Sequence, residues 1–482
     1  MASCLLGGCA KKGAAKDTDE SVQNNVAAKN FMVSDTAPEE TPEADVPNAT
    51  DDNLETYWEA KQTEEAVLQL NFDKPTLINN IHLKEDYLYK GGNCRAYHID
   101  AWNGEEWVKV YNSDIIRDYK LCVIDPVETT AVRLVIDETD ENYAEQGEMV
   151  RIAEFSATYQ PPIKKDFRAV GYVSPGSFTL FGDGNYNPDE GWLDSYTDLI
   201  FHGFVHWDYN AAEQLSIKMN NSKWEQYCDL YFDRIGSRDI RKFISIRNES
   251  KGADGKKVHM SSDAAQRTHL VDEIIALAKE KGFDGVDINY EHPSTDTHWD
   301  AFNAFLVELC DKAHAQGLLV SCATSATSNQ FTRRVLDSLD QYNVMVYDNT
   351  QDYKYWHSTF AYVCQAVDMA ARTGMDPAKV NIGLPFYAFG TTSSGIDWSA
   401  SRMYRQLYDS LSSGDEEFDF GQNSLAQYYY NGPTMIRDKT VYAITSGCGG
   451  VMVWHVVSDI PYANKASLTR AMNEAIQEYT TK

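Results

Sequence analysis

The sequence GFDGVDINYEHP, residues 282–293, decides the fold expected for most of this chain. Apolar or aromatic residues alternate in it with Asp287, Asn289 and Glu291. Successive side chains of a strand point to opposite faces, so these three polar groups share one face at intervals of about 6.6 Å. A helix predicted from the apolar residues of 270–278 comes directly before the stretch. The stretch is therefore predicted to be a buried parallel strand of an α/β fold.

Three polar side chains on one face are unusual in such a strand. Buried parallel strands are expected to be almost continuously apolar, and an unpaired polar group in the interior costs free energy. One explanation is a satisfied polar network inside a barrel. A second is a hard-cation site formed by Asp287, Glu291 and His292, although His292 falls on the opposite face. The third, which we favour, is a functional site, since departures from the folding pattern are expected there.

The rest of the C-terminal two thirds supports a barrel. After two prolines at 161–162, strand patterns alternate with helical ones. The predicted strands are 168–173, 198–205, 242–246, 283–291, 318–323, 343–347, 380–386 and 450–454. Eight such units predict a (β/α)8 TIM barrel, whose active site lies at the C-terminal ends of its strands.

Residues 49–160 show a different pattern. Short segments of period-two alternation follow one another with no helical stretch between them, and Asn103-Gly104 is a strong hairpin turn signal. The segments are 67–72, 78–83, 96–102, 107–111, 131–136 and 152–159. This pattern predicts a small antiparallel β-sandwich preceding the barrel.

The motif Asp284-Gly-x-Asp-x-Asn-x-Glu291 resembles the catalytic strand of glycoside hydrolase family 18, the chitinases and endo-β-N-acetylglucosaminidases, whose pattern is Asp-Gly-x-Asp-x-Asp-x-Glu. Asn289 stands where the family usually has Asp, and the related family 85 enzymes also have Asn-x-Glu. Further matches are Gly-Tyr172, Met-x-Tyr347-Asp348, Gly-Leu-Pro-Phe-Tyr387 and the last strand ending at Trp454. The third strand departs, with Ser-Ile-Arg-Asn at 245–248 where Ser-x-Gly-Gly is usual.

The resemblance implies a retaining hydrolase of β-1,4 bonds next to N-acetylglucosamine, in chitin oligosaccharides or in the chitobiose core of N-glycans. The nucleophile would be the substrate's own acetamide oxygen. Glu291 would be the acid and base, and it must hold a proton near neutral pH, which burial and the negative charge of Asp287 favour. Asn289 would orient the acetamide. The substrate-binding residues would be Tyr347, Asp348, Trp454, Tyr172 and Tyr387.

A different function remains open at this point. The changed residue Asn289 and the altered third strand favour a catalytically weak or inactive barrel that binds glycans at the cell surface. The retained Glu291, Tyr347 and Trp454 favour the enzyme. No cofactor and no metal are expected under either hypothesis.

The β-sandwich resembles a discoidin-like (factor 5/8 C-type) module, similar to carbohydrate-binding module family 32. The resemblance rests on Asp51-x-Asn-x-x-Thr-x-Trp58, the stretch 102–107 and the closing Val-Arg-Leu-x-Ile136. The resemblance implies that it binds a galactose- or N-acetylhexosamine-type sugar, and a purely structural role is the alternative. Trp58, Trp102 and Trp107 are expected in its core.

Composition limits the partners. The net charge of −29 argues against a nucleic-acid partner, and no apolar run reaches the ~18 residues of a membrane span. Leu-Gly-Gly-Cys9 resembles a bacterial lipobox, although what precedes it is short for a signal peptide. Residues 10–47 contain few large apolar residues and are predicted to be a disordered tether. We therefore expect a lipid-anchored protein at the bacterial cell surface or outside the cell, divided at 1–48, 49–160 and 161–482.

The cysteines do not form an evident disulfide framework. Nine are present, and seven remain if Cys4 is removed and Cys9 is lipidated. The one pair considered as a disulfide is Cys94 with Cys122. The cysteines expected to be buried apolar residues are Cys310, Cys322, Cys364 and Cys448.

Overall fold

The computed structural model describes most of the chain as two folded regions, each with its own apolar core. The described residues are 30–33, 48–61, 66–86, 94–139, 149–173, 191–219, 224–248, 258–291, 293–325, 329–349, 356–411 and 418–481. The predicted lipidation site Cys9, most of the predicted tether and His292 lie outside these residues. In the described part of the chain, no helix has the length and apolar character needed to cross a membrane.

The N-terminal domain is built from antiparallel strands. They are β1 (Asn30–Val33), β2 (Trp58–Lys61), β3 (Ala66–Glu85), β4 (Cys94–Trp102), β5 (Trp107–Ser113), β6 (Lys120–Thr139) and β7 (Met149–Thr158). Their order is β2-β7-β3-β6-β4-β5, with β1 also paired to β3. The long strands β3 and β6 pair along both halves, with register shifts between 71 and 80. The two halves enclose one core, which confirms the predicted sandwich.

The prediction for the three tryptophans is correct for only one of them. Trp58 is 1% exposed and belongs to the core. Trp102 and Trp107 are half-buried, face each other across the β4–β5 hairpin with ring centroids 5.4 Å apart, and lie outside the core. The Arg133 guanidinium covers the Trp107 ring at 4.7 Å. Side chains alternate along β4, so residue 102 lies on the opposite face from the core residue Ala101. The alternation visible in the sequence was therefore enough to place Trp102 outside the core.

The C-terminal domain is a closed barrel of eight parallel strands, as predicted. These are β9 (Arg168–Val173), β10 (Asp198–Tyr209), β12 (Arg241–Asn248), β13 (Gly285–Asn289), β14 (Leu319–Ser325), β15 (Gln341–Met345), β16 (Val380–Pro385) and β21 (Gly450–Trp454). They pair in sequence order, and β9 closes the barrel by pairing with both β10 and β21. The strand β11 (Leu215–Met219) extends β10 as an antiparallel hairpin. Short strands β8 (Ile163–Lys164) and β22 (Thr480–Thr481) tie the segment between the domains to the C-terminus.

Helices surround the barrel, and several of them begin after a side-chain cap. They are α1 (Trp224–Ile235), α2 (Ala264–Glu280), α3 (Asp296–His314), α4 (Arg333–Ser338), α5 (Phe360–Thr373), α6 (Tyr404–Leu411), α7 (Pro433–Thr445) and α8 (Leu468–Tyr479). Asp263, Thr295, Thr359 and Ser467 each accept a backbone N–H at a helix start. A four-stranded sheet of β17 (Tyr387–Thr392), β18 (Gly395–Met403), β19 (Ser424–Leu425) and β20 (Tyr428–Tyr429) is inserted between β16 and β21.

The cysteines of the described residues are all free thiols. The pairing considered for Cys94 and Cys122 is therefore wrong. Tyr97 Oη lies 3.4 Å from Cys122 Sγ, so this sulfur has a hydroxyl as its neighbour. Cys364 is half-buried, whereas Cys310, Cys322 and Cys448 are buried as expected.

The two domains meet in a buried polar interface. Lys120 of β6 forms an ion pair with Asp438 of α7, and neither side chain is exposed to solvent. Farther along the interface, Arg437 pairs with Asp125 at 3.0 Å. Paired buried charges fix orientation, because a displaced partner leaves its counterpart uncompensated. The N-terminal domain is therefore held in a defined orientation on the barrel.

The same interface contains a carboxyl group with an unusual environment. Asn423 Nδ2 donates to Asp114 Oδ1 at 3.0 Å, while Oδ2 is buried with no hydrogen-bond partner among the described residues. Burial raises the pKa of Asp114 to about 7, against the lowering effects of Asn423 and of the charge of Lys120. Folding therefore disfavours the ionised form of this group.

We expect the Asp114→Asn variant to flatten the dependence of stability on pH. Between the unfolded pKa of about 3.9 and the folded pKa, the folded protein holds a proton that the unfolded chain has lost, so stability falls as pH rises through this window. The parent should lose roughly 1–3 kcal/mol more than the variant between pH 4 and pH 8. Urea unfolding of both proteins at each pH measures this, and parallel curves would contradict it.

Candidate active site

Strand β13 brings the three polar residues of the opening motif into one mouth of the barrel, at different depths. Asp287 is completely buried in the barrel, and Asn289 is 6% exposed at the last position of the strand. The strand was predicted to run through 291, but it ends at Asn289, and Glu291 lies beyond it as an exposed side chain. The strand therefore sets the spacing, and the loop after it presents Glu291 at the C-terminal end of the barrel.

Asp287 accepts hydrogen bonds from four side chains. Ser245 and Tyr172 donate to Oδ2 at 2.8 and 3.0 Å. Ser321 and Asn343 donate to Oδ1 at 2.7 and 3.2 Å. Burial raises the pKa of Asp287, and the four donors act in the opposite direction because each stabilises the carboxylate. Four donors on two oxygens are the arrangement that an ionised carboxylate requires.

The hydrogen bonds continue from Asp287 toward the other end of the barrel. Asn381 donates to Asn343 Oδ1 and to Gln341 Oε1, both at 2.9 Å, and Gln341 in turn donates to Asp198 at 3.3 Å. The first explanation of the polar strand, a satisfied network, therefore holds for Asp287. It does not account for Glu291, which lies outside the barrel interior.

The loop after β15 forms one wall of the site. Tyr347 and Asp348 were predicted within or at the end of a strand through 347, but β15 ends at Met345, so both lie in this loop. Tyr387 donates to Asp348 Oδ1 at 2.6 Å, and the Tyr347 and Tyr387 rings meet edge to face at 6.0 Å. Asp348 adopts a φ of +60°, a left-handed conformation that Asp tolerates better than most residues.

His357 supports this wall from behind, and it was not identified from the sequence. It is 2% exposed, and its Nδ1 lies 3.2 Å from Asp348 Oδ1. Its ring lies 5.0 Å from the Tyr387 ring. The His357 tautomer that carries its proton on Nδ1 donates to the Asp348 side chain, whereas the other tautomer accepts from the Asp348 N–H at 3.5 Å. His357 thereby fixes the carboxylate to which Tyr387 also donates.

Glu291 lies on the side of the site that carries the two tyrosines. Burial raises the pKa of Tyr347, and the negative charges of Asp348, Glu291 and Asp287 raise it further. Burial, Asp348 and Glu291 likewise raise the pKa of Tyr387. Glu291 is thus one of the charges that act on both tyrosines. The expectation that Glu291 is buried is wrong for this structure, because its side chain is exposed beyond the end of β13.

Trp454 and Tyr172 lie at the bottom of the site. Their ring centroids are 5.5 Å apart, and the Tyr347 hydroxyl, above them, donates to Met452 Sδ at 3.7 Å. Tyr172 is 1% exposed, so it supports Asp287 and the Trp454 ring and does not line an open surface. Trp454 is half-buried and presents an aromatic surface to the mouth of the barrel.

His202 is a second residue that sequence reasoning missed. Its ring meets Trp454 edge to face at 5.1 Å, and its Nδ1 lies 3.0 Å from Ser245 Oγ. Burial, together with the nearby Arg247 and His455, lowers the pKa of His202 to about 3, so the imidazole is neutral at ordinary pH. Since Ser245 donates to Asp287, His202 donates in turn to Ser245. The sequence feature that could have pointed to His202 was the neighbouring Gly203. This glycine has a φ of +84° and lies at a shift of strand register in β10.

Glu291 is one of the residues that line a cavity of about 220 Å³. Its walls are mainly aromatic and apolar, and they include Trp299, Phe331 and Met345, with Ser325 and Gln330 as polar members. Glu291 thus lines this cavity, and its charge also acts on Tyr347 and Tyr387.

Metal ligation was the second explanation of the polar strand. In the described ranges, no group of three or more His, Cys, Asp or Glu side chains is arranged to hold a metal ion. The four hydrogen bonds to Asp287 also occupy the carboxylate that a cation would need. His292, the third residue of that hypothesis, lies outside the described residues.

Similarity to known proteins agrees with this geometry. Endochitinase 1 of Metarhizium robertsii is 22% identical over 357 residues, which cover 60% of this chain and 82% of that protein. The GH18 chitinase ChiB of Flavobacterium johnsoniae is 21% identical with a TM-score of 0.51, covering 65% of this chain and 94% of that one. A class V chitinase mutant of Cycas revoluta, solved with (GlcNAc)3, is 19% identical with a TM-score of 0.53, covering 64% and 99%.

Family models match both domains. Residues 48–134 match the NedA-like, galactose-binding domain of F5/F8 type C, which confirms the resemblance of the N-terminal domain. Residues 168–459, more than half of the chain, match the glycosyl hydrolases family 18 model. With this match over its closed barrel, and with Asp287, Asn289 and Glu291 at the barrel mouth, the chain belongs to glycosyl hydrolase family 18.

Proposed function

We propose that the protein is a retaining glycoside hydrolase that cleaves β-1,4 bonds next to N-acetylglucosamine by substrate-assisted catalysis. The observation that carries this proposal is the position of Glu291, an exposed carboxyl group beside Tyr347 and Tyr387 and at the rim of an aromatic cavity. Cleavage of the bond between two sugars needs a carboxylic acid beside the glycosidic oxygen that joins them. The (GlcNAc)3 bound to the Cycas revoluta relative is of the same chemical class as the proposed substrate.

In the first step, Glu291 gives its proton to the glycosidic oxygen while the acetamide oxygen of the substrate attacks C1. The bond between C1 and the leaving oxygen breaks, and a cyclic oxazolinium ion forms. Tyr347 donates a hydrogen bond to the acetamide carbonyl oxygen, and Trp454 packs under the same sugar. A bound glycan covers Glu291, and this desolvation favours its protonated form.

In the second step, water attacks C1 and the Glu291 carboxylate takes the proton of the water. The ring opens, the acetamide is restored and the product keeps the original anomeric configuration. Asn289 accepts the acetamide N–H through its amide oxygen but supplies no negative charge. Asp287 is therefore the charged group of β13 that stabilises the cation from behind Asn289.

We expect the Asn289→Asp variant to move the basic limb of the pH–rate profile to higher pH, by about one unit. A carboxylate at 289 places negative charge two residues before Glu291 on the same face, and this disfavours ionisation of the acid. The kcat of chitooligosaccharide hydrolysis measured from pH 4 to pH 10 gives the limb. The matched control is Asn289→Ser, which adds no charge and should leave the limb in place. An active Asp variant with an unmoved limb contradicts the argument.

The substrate class is tested by a screen of two glycan families. Chitin and the N-glycan core both contain the required N-acetylglucosamine, and the Asn-x-Glu pair shared with family 85 favours the N-glycan core. The assay measures reducing ends released from chitooligosaccharides and from high-mannose N-glycopeptides. Release from either one supports the hydrolase, and release from neither by the folded protein contradicts it.

The neutral residue Asn289 favours one alternative, a barrel that binds glycans with little or no hydrolysis. Titration calorimetry with chitooligosaccharides distinguishes the two. The alternative requires binding by the parent protein without release of reducing ends, whereas the hydrolase requires both.

We also propose a carbohydrate-binding role for the N-terminal domain and a lipid anchor at Cys9 on the bacterial surface or outside the cell. The first rests on the galactose-binding family model, and the second on the Leu-Gly-Gly-Cys9 motif. Sugar arrays test the first. Detergent phase partition of the parent and of the Cys9→Ser variant tests the second.

A further inference from the structure

The N-terminal domain touches a segment that supports the active-site wall. The Tyr119 ring lies 6.1 Å from the Phe360 ring, and the Lys120 ammonium lies 4.7 Å from the Phe360 centroid. Phe360 is the first residue of α5 and follows the buried residues 357–359 directly. The N-terminal domain thus packs against the end of the segment that carries His357.

A second route between the same two places runs through α7. Asp438 of this helix accepts hydrogen bonds from the Lys120 ammonium, from Tyr111 at 2.6 Å and from the backbone N–H of Val123 at 2.9 Å. All three donors belong to the N-terminal domain, and Asp438 is completely buried. The position of α7 is therefore tied to β5 and β6.

The next residue of α7 faces the active-site side. Lys439 is completely buried, and its ammonium donates to Ser358 O at 2.9 Å, to Ser358 Oγ at 2.8 Å and to Asn431 Oδ1 at 2.7 Å. The Ser358 hydroxyl in turn donates to the Val346 carbonyl at 2.7 Å. Val346 directly precedes Tyr347, so Lys439 and Tyr347 are linked through one serine.

The segment at 357–358 is joined at two further points to the loop after β15, which carries Tyr347 and Asp348. His357 Nδ1 lies 3.2 Å from Asp348 Oδ1, and the Asn349 N–H donates to the His357 carbonyl at 3.1 Å. The loop itself lies past the end of β15, outside the hydrogen-bond ladder of the barrel. A loop without ladder bonds takes its position from contacts of this kind.

We propose that Lys120, Tyr119 and Asp438 are positioning residues of the active site, through which the N-terminal domain holds segment 357–360 and, with it, Tyr347 and Asp348. The proposal rests on the proposed function, since it takes Tyr347 to be the group that binds the acetamide. The N-terminal domain is then a structural part of the catalytic site, in addition to any sugar that it binds. The reason is geometric, because a small displacement of a positioning group lowers the reaction rate far more than it weakens substrate binding.

The main variant removes the buried ion pair without leaving a single buried charge. Lys120→Met with Asp438→Asn keeps the shape of both side chains, and the amide oxygen still accepts the Val123 N–H. Tyr119→Ala, which removes the ring from Phe360, is the second variant. The matched control is Arg437→Gln, on the same helix and interface, which breaks the pairs with Asp125 and Glu478 and keeps the hydrogen bonds of Asp438 and Lys439.

Kinetics on the full chain, well below the unfolding temperature of each variant, provide the first readout. We expect the double variant and Tyr119→Ala to lower kcat by about 10-fold while KM changes less, because the acetamide is misplaced in the reacting complex. The control should keep both constants. A fall in unfolding temperature with an unchanged kcat overturns the proposal, because that result belongs to a merely structural contact.

Hydrogen–deuterium exchange provides a readout that needs no substrate. In the double variant, peptides covering 346–349 and 357–362 should exchange faster than in the parent and in Arg437→Gln, since the Asn349 and Tyr362 amides are bonded within this region. Unchanged exchange overturns the proposal even if the parent is an active hydrolase. If the parent hydrolyses neither glycan but the double variant exchanges faster than the parent, the positioning contact is supported while the proposed function fails.

Discussion

The Glu291→Gln variant is expected to lose about 10²–10⁴-fold in kcat on chitooligosaccharides or N-glycopeptides, because a positioned general acid contributes that much. The amide keeps the size of the side chain and its position at the rim of the cavity. It has no proton to give to the leaving oxygen and cannot take one from water. KM should change little, since the sugar contacts proposed for Tyr347 and Trp454 do not involve residue 291.

The size of the loss should depend on the leaving group. A 4-nitrophenyl or 4-methylumbelliferyl glycoside needs less protonation, so the variant should lose less on such a substrate than on the natural glycan. The control is Glu280→Gln, a change of an exposed carboxylate at the end of α2, which should keep full activity. Equal losses on both substrates would show that Glu291 is not the general acid. It would then be at most a binding residue.

The Asp287→Asn variant is expected to fold and to lose about 10²–10³-fold in kcat, which is the usual effect of removing one preorganised electrostatic contact. The amide oxygen at the Oδ1 position still accepts from Ser321 and Asn343. The amide nitrogen at the Oδ2 position faces the hydroxyls of Ser245 and Tyr172, which accept as well as donate. The change therefore removes the charge and keeps the hydrogen-bonded framework.

The loss should be large because Asn289 is neutral. With a carboxylate at 289, a second negative charge would stand beside the oxazolinium ion, but here Asp287 is the charge that β13 supplies. Ser321→Ala is the matched control, since it removes one of the four donors and keeps the carboxylate, and it should lose less than a tenth as much in kcat. Circular dichroism and the unfolding temperature check the fold of both variants. A fully active Asp287→Asn protein would show that the carboxylate serves only the structure of the barrel.

The order of polar and apolar residues predicted most of the architecture. Alternation at 286–290 and the eight strand patterns predicted the barrel, and the family 18 resemblance identified the mouth of the barrel as the site. The same alternation predicted the sandwich. These features are visible in sequence because strand and helix periodicity is a local property of the chain. The position of Trp454 at a strand end follows from the same rule.

Where each strand stops could not be predicted in this way. Strand β13 ends at Asn289 and β15 at Met345, so Glu291, Tyr347 and Asp348 are presented by loops. A strand ends where its neighbours stop pairing with it, and those neighbours are distant in sequence. The exposure of Glu291 follows from the same cause.

The sequence by itself determined the two folds, the carboxyl and amide groups on one strand face and the membership of a family. Only the tertiary structure decided what surrounds those groups. It brought Ser245, Ser321 and Asn343 onto Asp287 from three other strands, and it placed His202 and His357 behind the site. It also joined Lys120 to Asp438 across 318 positions of the chain. The physical reason is that periodicity reports which face a side chain occupies, whereas its partners depend on which strands and helices meet there.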